Sequence, residues 1–237
     1  MAEVDLRARS AQSELMDTEP VAFADFHECL QELEVINVCT LAYRPTLHWL
    51  KQMLKGAKPG ETVSVLDVGS GGGDMLRRIW KLLRRCGLNG ELAGVDLNPW
   101  SKQSAEQSTP SEMRIVHETS DIFSFDRSRR ADIIICSNFT HHLSDAELVR
   151  FVHWMEDHAD RGWFINDLHR HPLPYYFIKI LFGILPLNHM TANDGPISVS
   201  RAFTAADWRR VLTEAGVGDR AKIAWFFPFR YTVACRK

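Results

Sequence analysis

From residue 21 to residue 55 apolar side chains recur at helical spacing: Phe23, Phe26, Leu30 and Leu33, then Leu41, Leu47, Leu50 and Leu54. That period predicts two or three helices, one opening at Pro45, whose missing N–H is harmless in a first turn. Residues 1–20 ahead of them are polar and are expected to be loose. Lys58, Pro59 and Gly60 break the pattern, and short apolar runs then alternate with amphipathic segments. Strands are predicted at 62–68, 91–96, 114–118, 132–136 and 163–166. Helices are predicted at 75–86, with Leu76, Ile79, Leu82 and Leu83 inward, and at 145–158, with Leu148, Phe151, Val152 and Met155 inward and Ser144 as N-cap. No clear helix separates the third strand from the fourth. Strands alternating with helices imply right-handed βαβ units and a mostly parallel sheet, an α/β fold. Residues 171–200 form an aromatic, proline-rich insertion. Thr204 then caps a helix over 205–215, closed by Gly216, and β-like runs at 221–227 and 231–235 predict an antiparallel hairpin at the sheet edge. The expected organisation is a helical cap over 1–60 and an α/β domain over 61–237, with 171–200 as an inserted helical lid.

Composition narrows the class. At 237 residues, 45% apolar and 24% charged, the chain buries roughly 70% of its unfolded surface and is not globally disordered. A net charge of −2 gives no support to general phosphate neutralisation, so nucleic acid is not an expected partner. Five cysteines, an odd number, with no C-x-x-C pair argue for a reducing compartment and against a disulfide framework or zinc ribbon. The first twenty residues contain no apolar leader. The longest apolar run, residues 173–187, has 15 residues, carries Lys179 and contains Pro174 and Pro186, too short to span a bilayer. The expected location is the cytoplasm, without stable membrane insertion, as a monomer or homodimer.

The most informative stretch is V-S-V-L-D-V-G-S-G-G-G-D over residues 63–74. A buried strand ends in an acid, then a glycine turn, then a helix, and the glycines let a ligand approach the backbone. In an open α/β sheet the end of this strand adjoins the point where ligands bind. The dinucleotide pattern G-x-G-x-x-G, begun at Gly69, needs a glycine at position 74, where Asp74 stands; its carboxylate opposes a diphosphate. No Gly-Lys-Ser/Thr follows either, which removes the phosphate-loop reading. What remains is D-x-G-x-G-x-G, with Asp67 two residues before Gly69, and an acid at that place suits a cationic ligand.

In these residues the chain resembles the class I S-adenosylmethionine-dependent methyltransferases, over about residues 62–166, with R-A-F-T-x-x-D at 201–207 as a downstream element. The phrase S-N-x-x-H-H-L at 137–143 is similar to the small-molecule methyltransferases related to ubiquinone and menaquinone biosynthesis. The resemblance implies a Rossmann-like sheet and S-adenosylmethionine as cofactor, held by Asp67 and the loop Gly69, Ser70 and Gly71. It also implies that Asp96 accepts from the ribose hydroxyls, Leu97 packs on the adenine face, Asp121 accepts from the adenine amine beside Ile122, and Ser137 lines the methionine portion.

Methyl transfer to a hydroxyl needs alignment and the removal of a proton. The fourth strand end offers His141 and His142 and the fifth offers Asp167, with His169 and His171 beyond it; these are the candidate catalytic residues, His141 or His142 as base and Asp167 to orient it or to bind the acceptor hydroxyl. Arg44 is a weaker candidate partner for a carboxylate. The histidines fit no H-E-x-x-H register, so no metal is expected. The fourth strand lacks the Asp/Asn-Pro-Pro-Tyr/Phe element of nucleic-acid amino-methyltransferases and there is no Pro-Cys nucleophile pair. The dense apolar patch Tyr175, Tyr176, Phe177, Ile178, Ile180, Leu181 and Phe182, together with the N-terminal helices, is expected to roof a pocket for a small apolar or aromatic acceptor. Transfer to oxygen of a phenol, quinone or polyketide is the first expectation. Transfer to carbon or nitrogen, a non-catalytic cofactor-binding protein, and a nicotinamide-dependent oxidoreductase are the alternatives.

Overall fold

The computed structural model describes residues 4–18, 21–125 and 130–237. After a short helix α1 (Leu15–Thr18) come two longer ones, α2 (Phe23–Cys39) and α3 (Arg44–Met53), the latter with Pro45 in its first turn. An alternating region follows: β1 (Thr62–Val68), α4 (Asp74–Arg85), β2 (Asn89–Asp96), α5 (Pro99–Ser108), β3 (Val116–Thr119), β4 (Ala131–Ser137), α6 (Asp145–His158) and β5 (Ala159–Leu168). The inserted region is a helix pair, α7 (Pro172–Ile184) and α8 (His189–Arg201). The chain finishes with α9 (Ala205–Glu214) and the hairpin β6 (Lys222–Phe226) and β7 (Arg230–Arg236).

The seven strands lie in the order β3-β2-β1-β4-β5-β7-β6. The first five are parallel, and β7 inserts antiparallel between β5 and the edge strand β6. The central strand β4 reads as a near-continuous apolar run because both of its faces are covered. Along β4, Ile134 and Cys136 pack with Phe151, Met155 and Trp208, beneath α6 and α9. Its alternate residues Ile133 and Ile135 pack on the opposite face with Leu50, Ile79 and Phe164, beneath α3 and α4. Ser144 and Thr204 each form a capping box, with Glu147 and Asp207 respectively.

One helix is new and two expectations are corrected. Helix α5 was not legible from apolar spacing, because its buried face is Ser101, Ser104 and Ala105. Strand β5 runs from Ala159 to Leu168, beyond the predicted 163–166 at both ends, since β4 pairs with it from Ala159 and β7 from Gly162 to Leu168. The polar lead is not loose over residues 9–17. Arg9 donates to the carbonyls of Arg201, His141 and Leu143, the Ser10 amide donates to the Ser200 carbonyl, and buried Asp194 on α8 accepts the amides of Leu15 and Met16. The lead is a strap fastened across the carboxyl ends of the strands.

Candidate active site

Between β1 and β4 the strand order reverses, and the carboxyl ends of β1, β2, β4 and β5 open there onto a cavity of about 1470 Å³. One end is polar, formed by the loop Gly69–Gly72, by Asp96 and Leu97, by Asp121 and Ile122, and by Ser137 and Asn138. The other is apolar, walled by Phe26, Leu30 and Leu33 of α2 and by Phe177, Ile178 and Phe182 of α7. A smaller cavity of about 40 Å³ adjoins it and is lined by Asp67, Asp74, Tyr43 and Asn37.

The glycine loop is tight. Gly69, Gly71 and Gly73 all have positive φ. A Cβ on Gly69 would lie 2.5 Å from the Phe139 ring, so the close approach of Phe139 requires glycine there. Asp96 ties this loop to the end of β2: its carboxylate accepts the Gly71 amide at 2.9 Å and the Asn98 amide at 3.0 Å. Asp67 is buried, and its Oδ1 has no hydrogen-bond partner among the described residues. Burial first, then the nearby charges of Asp74 and Asp96, push the Asp67 carboxyl well above its ordinary value. Asp74, in the first turn of α4, accepts the Tyr43 hydroxyl. A carboxylate in that first turn takes the place where a dinucleotide site receives phosphate.

The sequence-predicted cofactor residues therefore meet at one place, with differences among them. Asp67 faces the small cavity, while Asp96, Leu97, Asp121 and Ile122 line the large one and Gly69, Ser70 and Ser137 border both. Leu97 is largely exposed. Asp121 uses Oδ1 to accept the Phe123 amide at 2.9 Å, an Asx turn at the cavity rim.

His141 and Asp167 form a buried dyad. Asp167 Oδ1 accepts from His141 Nδ1 at 2.7 Å, and Oδ2 accepts the Thr140 hydroxyl at 2.5 Å and the His141 amide at 3.1 Å. The Leu168 amide also donates to Oδ1. Burial alone would raise the Asp167 carboxyl, but His141, Thr140 and Leu168 together hold it well below the usual carboxylate range. His142 directs Nδ1 to Asp17 at 2.7 Å. Burial would lower its imidazole, yet Asp17 and Glu14 leave it raised. His169 lines the cavity, but its Nδ1 accepts the Trp225 indole N–H at 3.3 Å, and burial with His171 and Arg170 lowers it to about 4. His171 caps α7 through its Nδ1. Arg44 is exposed and lines neither cavity.

Sequence reasoning missed Glu14 and Asp17, brought in by the strap, and Arg230. This buried arginine donates to the side-chain oxygens of Asn166 and Asn138 at 3.1 and 2.8 Å, and burial lowers it to about 10. Asn138 passes the network on to Asn37 on α2 at 3.1 Å. Asn138 stands at φ 53°, a conformation asparagine tolerates better than most residues. That single residue after β4 was the available signal.

Residues 65–162 match the family model described as a methyltransferase domain. A sequence search of curated proteins finds no match. Among solved structures the chain is similar to the magnesium protoporphyrin IX methyltransferase of Synechocystis PCC 6803 with bound SAH, at 18% identity and a TM-score of 0.55, over 84% of this chain and 83% of that one. It is similar to human N-acetylserotonin methyltransferase in complex with SAM, at 16% identity and a TM-score of 0.64, over 91% of this chain and 56% of that one. It is also similar to the plantazolicin methyltransferase BpumL in complex with a monoazolic desmethylPZN analog and SAH, at 15% identity and a TM-score of 0.64, over 88% and 89%. At these identities the likeness is one of fold.

Proposed function

We propose that this chain, whose methyltransferase domain is of the class I, S-adenosylmethionine-dependent kind, methylates an oxygen of a small apolar or aromatic acceptor. The residues fit the cofactor. Three carboxylates, Asp67, Asp74 and Asp96, lie close enough to raise Asp67, and Asp67 keeps a buried oxygen without a partner. A cationic ligand relieves both costs, and a diphosphate adds to them. In this reading Asp67, Gly69, Ser70, Gly71 and Ser137 hold the methionine portion, Asp96 accepts from the ribose hydroxyls, and Leu97, Asp121 and Ile122 surround the adenine. When bound, S-adenosylmethionine supplies a methyl group on a sulfonium, already a good leaving group.

One observation carries the acceptor proposal: the cofactor end and an apolar end share a single cavity of about 1470 Å³, which His141 and His142 line, with Asp167 buried behind His141 and outside the lining. Apolar walls from α2 and α7 exclude water and orient a ring or chain. Leu173 and Phe177 on α7 line the cavity and are also strongly exposed at its mouth, which suits a greasy acceptor entering there. In this reading α2 and the α7–α8 pair act as the cap and lid. A histidine lining the cavity and oriented from behind by a carboxylate is a group that holds a hydroxyl and draws off its proton, which favours oxygen over carbon. Among the described residues no helix is long and apolar enough to cross a membrane.

Two measurements test this reading. Asp96→Ala is expected to weaken S-adenosylmethionine binding at least tenfold, about 1.4 kcal/mol, by calorimetry; an unchanged affinity would remove Asp96 from the site. Incubating the protein with a cell extract and methyl-labelled cofactor, followed by mass spectrometry, should return a labelled apolar product with its label on oxygen. A label on carbon, on nitrogen or on nucleic acid would overturn the oxygen assignment.

A further inference from the structure

Glu14 has no place in cofactor binding, yet it is only 3% exposed and its Oε1 has no hydrogen-bond partner among the described residues. It faces two imidazoles. His141 Nε2 lies 3.6 Å from Glu14 Oε1, and His142 Nε2 lies 3.9 Å from Glu14 Oε2. These separations are too long for hydrogen bonds. They suit three groups arranged around a shared gap, and the three ligand atoms all lie within 4.8 Å of one another.

The outer partners sharpen the picture. Each histidine gives its other nitrogen to a carboxylate at 2.7 Å: His141 Nδ1 to Asp167 and His142 Nδ1 to Asp17. A carboxylate accepts only, so in the neutral imidazole the proton sits on Nδ1 and the Nε2 lone pair is left facing Glu14. Carboxylate behind histidine, with the free nitrogen directed at a common point, is the arrangement that orients metal-binding histidines and raises their basicity. The Arg201 guanidinium, 3.9 Å from Glu14, is met by Asp17 at 3.7 Å. Glu14, His141 and His142 all border the large cavity, so the outward side of the gap is open.

We infer that Glu14, His141 and His142 form a site for one first-row divalent transition-metal ion, bound through two imidazole Nε2 atoms and a carboxylate and facing the acceptor cavity. Two imidazoles select zinc, iron, nickel or copper over magnesium and calcium, which prefer all-oxygen cages. The sequence expectation of no metal came from the register of the histidines and from Ser137-Asn138, with no aspartate, at the end of the fourth strand; the third ligand arrives on the strap from the far end of the chain. On the methyl-transfer reading the open side of the ion would receive the acceptor's oxygen and would take over the hydroxyl-activating role given above to the histidines, whose Nε2 atoms are then engaged; the site itself does not depend on that reading.

The test uses the full chain, dialysed against a chelator and then titrated with zinc chloride by calorimetry and with cobalt chloride by visible absorption. One ion per chain is expected, with a cobalt spectrum of nitrogen and oxygen ligands and no thiolate charge-transfer band. Glu14→Gln and His142→Ala should each weaken binding about 100-fold or more, and Asp17→Asn, acting through His142, about 10- to 100-fold, with far-ultraviolet circular dichroism unchanged. Absence of stoichiometric binding by the wild-type chain would overturn the inference. So would a thiolate band, pointing to exposed Cys39 or Cys86, or binding that survives these substitutions. Methyl transfer is not read at all, so the metal site and the methylation reading can fail separately.

Discussion

Asp167→Ala is expected to lower stability by about 3–5 kcal/mol, because it removes the shared acceptor of several buried donors, each of which costs about 1–3 kcal/mol when left unsatisfied. Asp167 is fully buried at the end of β5 and receives four donors: the His141 ring, the Thr140 hydroxyl, and the amides of His141 and Leu168. Alanine leaves those donors facing a void, and each unsatisfied buried group adds its own desolvation cost. The same change frees the His141 ring from the orientation that presents Nε2 to the cavity, so methyl transfer should fall about 100-fold or more in kcat. Asp167→Asn keeps the volume but puts an amide against several of the same donors; it should recover much of the stability and little of the rate. Chemical unfolding and single-turnover labelling read the two effects separately. An alanine variant within about 1 kcal/mol of the parent would show that the dyad is not the anchor described here.

Gly69→Ala is expected to damage the cofactor site from the other side. Its φ of 68° is left-handed, and the new Cβ would meet Phe139 at 2.5, 2.8 and 2.9 Å from three of its atoms. Phe139 cannot retreat freely, since its ring packs edge-on against Phe151 with centroids 5.2 Å apart. The left-handed backbone costs about 1–2 kcal/mol and overpacking about 1–3 kcal/mol, so thermal unfolding should show about 2–5 kcal/mol lost. Cofactor affinity should fall well beyond tenfold, because the loop that Asp96 holds through Gly71 must move. Gly56→Ala is the matched control: its φ is also positive, at 89°, but no atom lies within 4 Å of the added Cβ. It should cost about 1–2 kcal/mol, the backbone cost alone, and leave cofactor binding intact. Equal effects from the two substitutions would contradict the role given to the Phe139 contact.

The parallel core was readable because buried strands must be apolar on both faces, and β1 and β4 are. The glycine loop was readable because positive φ and close packing leave few alternatives to glycine. Helix α5 escaped the hydrophobic pattern since small polar residues make its buried face; the pair Asn98 and Pro99, an N-cap and a first-turn proline, was the signal to use. Pro196 and Gly195, which would ordinarily interrupt a helix, both sit inside α8. There Gly195 lets the Phe182 ring pack within 2.4 Å of where a Cβ would be. The strap was the largest loss. Its residues are polar because their partners are polar and buried, and those partners lie far along the chain: His142 and Asp17 are 125 residues apart. Hydropathy does not separate such a segment from a solvated tail.

The account rests on a cleft that uses carboxylates to attract positive charge. Calorimetric titration of the purified protein with S-adenosylmethionine and, in parallel, with NAD⁺ tests this most directly. One S-adenosylmethionine per chain and no heat from the dinucleotide is the expected result; saturable binding of NAD⁺ with none of S-adenosylmethionine would contradict it.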